Sequence, residues 1–564
     1  MKKLLLTTII VLGMAFSLMV NVSKPTVVLG STTQAEPKDK IVFEGFNLNQ
    51  SASMDEIQEE VSETANEVVT VQVQLDYQYM SDARYRINRR TNINSFIAEQ
   101  RKLIKEYHTK MNAYLTQDIE LDNYIDSYVS SYGPFVEYYY EKDEFVNNSE
   151  EIVGELIEND NVSMAYIQNT EEYTSSNLNT ALYTMNSYEA VTTGQVSGAG
   201  VTIGILEIDG IVERKHPNLI GSNLTVRDEW WFNENISSHA TMVASVAGGN
   251  FGVAKGARIL SVQLVGSAKE EMEWMLDRGV NIINLSWGDS YGSATGVYSS
   301  QSAYYDYIVR TTFVTIVAAA GNWGDGHGMV GNPGLGYNVI TVGATNPTGT
   351  YRQSYSSYNV INGPSKPNIV APAGFMMPNY SFPFTGTSVT SPLVAGTIAL
   401  MMESYPELKV FPEKVMSLIS ASAKFMSFHG TTGIEGYNAE VGAGLFDYKE
   451  SMENMTNTFG YINSTGKSGI YKEVYFYVAY GQTVKSSVAW LLNSNDTTTV
   501  KLTDYDLRLF DPTGRPVASA TSNHNNIEVV TYTAHMPGYY RLQIIQNGSL
   551  ANGSDWVSLS YSIR

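Results

Sequence analysis

Cysteine is missing from all 564 residues, which excludes disulfides, thiolate metal sites and thiol nucleophiles together. Charged residues make up only 16%, too few for a disordered polyelectrolyte or a coiled coil. Cations are the scarcer sign: 36 Lys plus Arg stand against 57 Asp plus Glu, a formal charge of −21. A duplex-binding protein needs a basic face for phosphates, so nucleic acid is not an expected partner. Long apolar runs are scarce too. One, residues 4–20, reaches the bottom of the membrane-spanning range, and no second follows.

That run follows Lys2 and Lys3, and no basic stop-transfer cluster comes after it. This is the layout of a secretory signal. The expectation is export with removal of residues 1–35, no permanent membrane span, and a secreted or cell-surface location. With no cysteine after the run, lipid anchoring is excluded.

The rest of the chain, at roughly 150 residues per domain, divides into zones. Residues 41–170 mix two periods. Val69, Val71, Val73, Leu75 and Tyr77 alternate as a half-buried strand, whereas Phe96, Leu103, Ile104, Tyr107, Met111 and Tyr114 recur at helical spacing. Residues 135–140 and 162–167 read as strands, with a helix capped by Ser149 between them. This is a small α+β unit. Residues 171–200 are polar and aperiodic, and read as a linker or processing region. Residues 201–453 change texture. Wholly apolar strands at 201–206, 259–265, 281–286, 313–320 and 339–344 alternate with helical segments, the pattern of an α/β domain with a parallel sheet. Residues 461–564 read as an all-β sandwich, with alternating strands around the turns at 511–514 and 537–538.

Three polar residues stand out against this background. Ser388 opens a helix with Pro392 in its first turn, where backbone N–H groups and the helix dipole favour a developing anion. His239 opens the apolar helix HATMVASVAGG. Asn322 follows a buried strand in VAAAGN, at the strand end where open α/β sheets place their sites. Each alone is an ordinary cap, surface or turn residue. Together, and in this order, the segments HATMVASVAGG, AAAGN and GTSVTSPLVAG resemble the subtilisin-like serine proteases. NIINLSWG, residues 281–288, resembles that family's substrate-pairing strand, which brings in Ser286, Trp287 and Gly288. Residues 252–265 resemble its second core strand and lead-in.

The resemblance implies a serine endopeptidase acting on protein or peptide substrates, with Ser388 as nucleophile, His239 as general base and acid, and Asn322 holding the oxyanion. It implies no cofactor for the chemistry. Structural calcium is an expectation carried by resemblance alone, with no ligands named. The α+β unit resembles the family's inhibitory propeptide by pattern and position, which makes the chain's own propeptide a partner. The last zone resembles the bacterial pre-peptidase C-terminal type.

The acid departs from the family. In VTIGILEIDGIVERKHPNL, counting along the strand puts Glu207 at the acid position, whereas counting back from His216 puts Asp209 there. Strand register is set by burial on both faces and does not slip cheaply, which favours Glu207. Trp287 is expected to narrow the cleft.

Overall fold

In the computed structural model of the chain, the residues described are 41–44, 58, 68–75, 92–119, 121–124, 126–129, 135–159, 161–168, 179–227, 236–264, 268–289, 294, 296–324, 329–359, 364–380, 385–426, 436–493, 500–551 and 553–564. The expected signal at 1–35 lies outside them. No helix among the described residues is long and apolar enough to cross a membrane.

The N-terminal unit comprises β1 (Ile41–Glu44), β2 (Val68–Leu75), α1 (Ile93–Leu115), β3 (Asp126–Val129), β4 (Phe135–Glu141), α2 (Lys142–Glu158) and β5 (Val162–Gln168). Its five strands lie in the order β1-β5-β2-β4-β3. The alternating set Val69, Val71, Val73 and Leu75 is buried against Phe145, Ile152 and Leu156 of α2. Ser149 is not a cap: α2 begins at Lys142, with Asp143 and Glu144 in its first turn, where carboxylates complement the helix dipole. Ser149 sits mid-helix, donating to the Val146 carbonyl.

α1 turns a second face outward from this unit. Phe96 and Ile97 cluster with Phe313, Val410 and Phe411 of the central domain. The buried Arg101 guanidinium donates to the carbonyls of Leu276, Val280 and Thr312, at 3.3, 2.8 and 3.2 Å.

The stretch at 179–193 departs from the linker reading. It forms α3 (Asn179–Thr184) and α4 (Tyr188–Thr193), and Ala181, Leu182, Met185 and Val191 enter the central core. Helices of six residues are too short to impose a visible period, so the polar composition dominated the sequence pattern.

The central domain holds β6 (Thr202–Glu207), β7 (Leu224–Val226), α5 (Ser238–Gly248), β8 (Arg258–Gln263), α6 (Ala268–Asp277), β9 (Ile282–Leu285), α7 (Ser300–Thr312), β10 (Thr315–Ala319), β11 (Ile340–Thr345), β12 (Ile369–Pro372), α8 (Thr387–Ser404), α9 (Pro412–Ser422) and α10 (Tyr448–Glu453). The seven strands are ordered β12-β11-β10-β9-β6-β8-β7, and every pairing is parallel. The chain runs outward from β6 to β7 and β8, then crosses back to β9 on the other side of β6. The order reverses at β6, and the crevice at the carboxyl end of such a strand is where α/β sheets carry their sites. α8 is buried along nearly its whole length, as a helix apolar on all sides must be.

The C-terminal unit comprises β13 (Thr458–Asn463), β14 (Gly469–Val478), β15 (Thr483–Trp490), β16 (Asp504–Phe510), β17 (Pro516–Ala520), β18 (Ile527–Thr533), β19 (Gly538–Asn547) and β20 (Asp555–Ile563). They form two antiparallel sheets, β13-β20-β15-β18 and β14-β19-β16-β17. Polar contacts fix it to the central domain. Ser417 of α9 meets Ser558 and Ser560 at 2.8 and 2.9 Å. Lys485 donates to the carbonyls of Ala423 and Ala443.

Candidate active site

Glu207 is the last residue of β6. Its register is held on both sides, by Ile203↔Ile259 in β8 and Ile203↔Ile282 in β9, so the strand cannot slide. His239 is the second residue of α5, whose first turn is capped by Ser237 accepting from the Ala240 N–H at 3.0 Å. The His239 Nδ1 lies 2.8 Å from the Glu207 carboxylate, with both side chains nearly excluded from solvent. Burial pushes the Glu207 carboxyl up; the His239 charge and hydrogen bond pull it back, Asp209 raises it, and the Ser286 backbone N–H lowers it.

Asp209 lies two residues beyond and makes a different contact. Ser237 donates its hydroxyl to Asp209 Oδ2 at 2.5 Å. Of the two acids, the structure places Glu207 against the imidazole and Asp209 against the helix cap behind it.

Ser388 is the second residue of α8 and is buried. Its hydroxyl has no hydrogen-bond partner among the described residues. Met242 of α5 and Val389 of α8 share an apolar cluster with Ala344 and Ala373, which brings the N-terminal turns of the two helices together. The approach to Ser388 needs Gly386, whose φ of 149° is closed to ordinary side chains. The Gly386 N–H donates to the Tyr355 hydroxyl at 3.1 Å.

Asn322 follows Gly321, which takes φ 97° and turns the chain at the end of β10. Asn322 Oδ1 accepts from the Thr387 N–H at 2.8 Å and the Thr387 hydroxyl at 3.1 Å. A backbone N–H only donates, so the bonded atom is the amide oxygen. Neither bond uses the amide's own N–H groups. The Thr387 hydroxyl also accepts from the Gly321 N–H at 3.0 Å, tying the turn to the start of α8.

Ser286, Trp287 and Gly288 follow β9. The Trp287 ring is buried, and its indole N–H donates to the Leu206 carbonyl at 3.0 Å. The ring braces β6 next to Glu207 rather than standing free as a cleft wall. Ser391 of α8 donates to Asn284 of β9 at 2.6 Å, and Asn284 donates to the Ser286 hydroxyl at 2.8 Å. These bonds fix α8 on the sheet.

Ser237 and Asn284 are not singled out by the sequence reading. Ser237 was detectable as a serine before an apolar helix, and Thr387 lies within the GTS segment itself. Asn284 gave no local signal, because it acts across 107 residues.

Among the described residues, Glu207, Asp209 and His239 offer ligand atoms within 4.8 Å of one another. The set does not fit calcium, which takes oxygen ligands, and its imidazole is already engaged by Glu207.

This arrangement carries the elements of acyl transfer: an imidazole oriented by a buried carboxylate, a buried hydroxyl at a helix N-terminus, and a pinned amide beside it. The model of the Subtilase family matches residues 198–461. Subtilisin DY of Bacillus licheniformis is 28% identical over 242 residues, covering 40% of this chain and 84% of its own. Subtilisin Savinase of Lederbergia lenta is 28% identical over 225 residues, covering 37% and 79%. Fervidolysin from Fervidobacterium pennivorans, among solved structures, has 15% identity and a TM-score of 0.45, covering 85% of this chain and 70% of that one. Residues 198–461 belong to the subtilase family, and the enzyme they form is a subtilisin-like serine endopeptidase.

Proposed function

We propose that Ser388 is the nucleophile, His239 the general base and acid, Glu207 the orienting acid, and Asn322 an oxyanion donor together with the Ser388 N–H. The observation that carries this reading is the 2.8 Å contact between His239 Nδ1 and the Glu207 carboxylate, at the head of a helix packed against the one that opens with Ser388. Glu207 accepts a hydrogen bond from Nδ1–H, which leaves Nε2 to take the proton from the Ser388 hydroxyl as that oxygen attacks the scissile carbonyl. The developing oxyanion is held by the Asn322 amide and the first free N–H groups of α8. His239 then protonates the departing amine, and water repeats the sequence on the acyl-enzyme.

The chain is read as an exported precursor whose N-terminal α+β unit inhibits the enzyme until it is cut away, with residues 286–288 pairing with the substrate. Fluorophosphonate labelling tests the catalytic assignment. Activated serines react and ordinary helix caps do not, so the secreted, processed protein should label and its Ser388→Ala variant should not. Equal labelling of the two overturns the assignment.

A further inference from the structure

We propose that Asp209 is a positioning residue of this catalytic group, holding the first turn of α5 through Ser237 and placing a second negative charge behind the His239 imidazolium. The inference rests on the reading of His239 and Glu207 as base and acid, and extends it to a residue that touches neither substrate nor nucleophile.

Two observations carry it. The first is mechanical. Ser237 uses one hydroxyl twice, accepting from the Ala240 N–H at 3.0 Å and donating to Asp209 at 2.5 Å. The cap of α5 is therefore aimed by Asp209, and His239 sits two residues into that helix. A cap whose rotamer is fixed from behind positions the following turn better than a free one.

The second is electrostatic. Ligand atoms of Glu207, Asp209 and His239 all lie within 4.8 Å of one another. The carboxylates sit on β6 and the loop after it. Across α5, the neighbouring N-terminal turn of α8 (Thr387, Ser388, Val389, Thr390, Ser391) carries no charge, and β8 presents Gln263 at the same end. His239 and Asp209 are the charged groups that bear on Glu207 among the described residues. Glu213 lies further along the loop, its N–H donating to the Thr241 hydroxyl at 2.8 Å.

The sign does not depend on which group titrates. A negative charge favours the protonated form of either neighbour, so Asp209 raises the pH at which the His239–Glu207 pair gains its inactivating proton. The pair titrates as a coupled unit, and the acid limb of the rate profile reports that unit.

The experiment is the pH profile of kcat/KM on one peptide for wild type, Asp209→Asn, Asp209→Glu and Ser237→Ala, each confirmed folded by near-UV circular dichroism. Asp209→Asn should move the acid limb to lower pH and reduce the plateau by about tenfold or less. Asp209→Glu should return the limb toward wild type. Ser237→Ala removes the cap without removing charge, so its limb should stay and its thermal midpoint should fall. An unmoved limb in folded Asp209→Asn overturns the proposal, as does an equal shift in Ser237→Ala. Glu207→Gln measured alongside keeps the two readings apart: its full activity would overturn the triad assignment, whatever Asp209 does.

Discussion

Glu207 Oε2 and His239 Nδ1 lie 2.8 Å apart at the carboxyl end of β6, in a strand whose register is fixed from both sides. A glutamate can serve here because the acid fixes the tautomer and stabilises the imidazolium without taking the proton. Its extra methylene changes reach, not role. Glu207→Gln keeps the shape but offers an N–H where an acceptor is needed. Turnover should fall roughly 10⁴-fold, the scale of the acid in this enzyme class. Asp209→Asn should cost about tenfold or less. Steady-state kinetics of both on one peptide decides the matter, and the reverse ranking would contradict the strand-register argument.

The oxyanion donor offers a separate test. Asn322→Ala should retain fluorophosphonate labelling and lose about 10²–10³ in kcat, the range for one such donor in this class. Thr387→Val keeps the N–H bond to Asn322 Oδ1 but removes the hydroxyl that ties Gly321 and Asn322 to α8. It should cost about tenfold, because a loosened donor is a poorer one. Equal losses in the two variants would mean that the Asn322 amide acts only as a structural link.

The parallel sheet was legible because its strands are wholly apolar and separated by helical segments, and burial on two faces leaves few other readings. Ser388, His239 and Asn322 enter the proposed site through the order of their segments. The choice between Glu207 and Asp209 was not settled by counting, since two anchors gave two answers; the contact with His239 depends on how β6 sits between β8 and β9. The Ser237–Asp209 and Ser391–Asn284 bonds were invisible because they join distant residues. Ser149 misled because a serine before an apolar run imitates a cap. The acidic first turn at Asp143 and Glu144 was the better signal.

The helices at 179–193 narrow the expected site of processing. Ala181, Leu182 and Met185 lie in the central core, Lys424 donates to the Thr184 carbonyl at 2.6 Å, and the Tyr448 N–H donates to the Met185 carbonyl at 2.9 Å. A cut within this stretch would strip core residues from the enzyme. The mature form should therefore begin between Gln168 and Asn179. N-terminal sequencing of the active secreted form checks this, and a start beyond Met185 would show that these helices are dispensable.

Lys485 should make the stability of the assembled chain depend on pH in the alkaline range. Its ammonium is buried where the sandwich meets the central domain, and burial first, then Arg564, brings its pKa down to about 7. A neutral amine still offers two N–H groups, matching the carbonyls of Ala423 and Ala443 that it meets. In the unfolded chain the lysine keeps its usual high value. Between pH 7 and 10 the unfolded state therefore binds more protons than the native state, so stability rises with pH, by roughly 1.4 kcal/mol per unit from this group. Below about pH 7 both states are protonated and the contribution is flat. Lys485→Met removes the titration, and the cost of leaving the two carbonyls unpaired does not vary with pH. The comparison is best made in the inactive Ser388→Ala background, where self-digestion cannot interfere. The urea midpoint of the lysine form should climb relative to that of the methionine form from pH 7 to 10, and run parallel to it from pH 5 to 6.5. Parallel midpoints across the whole range would mean that Lys485 stays charged at the junction, held there by the two carbonyls.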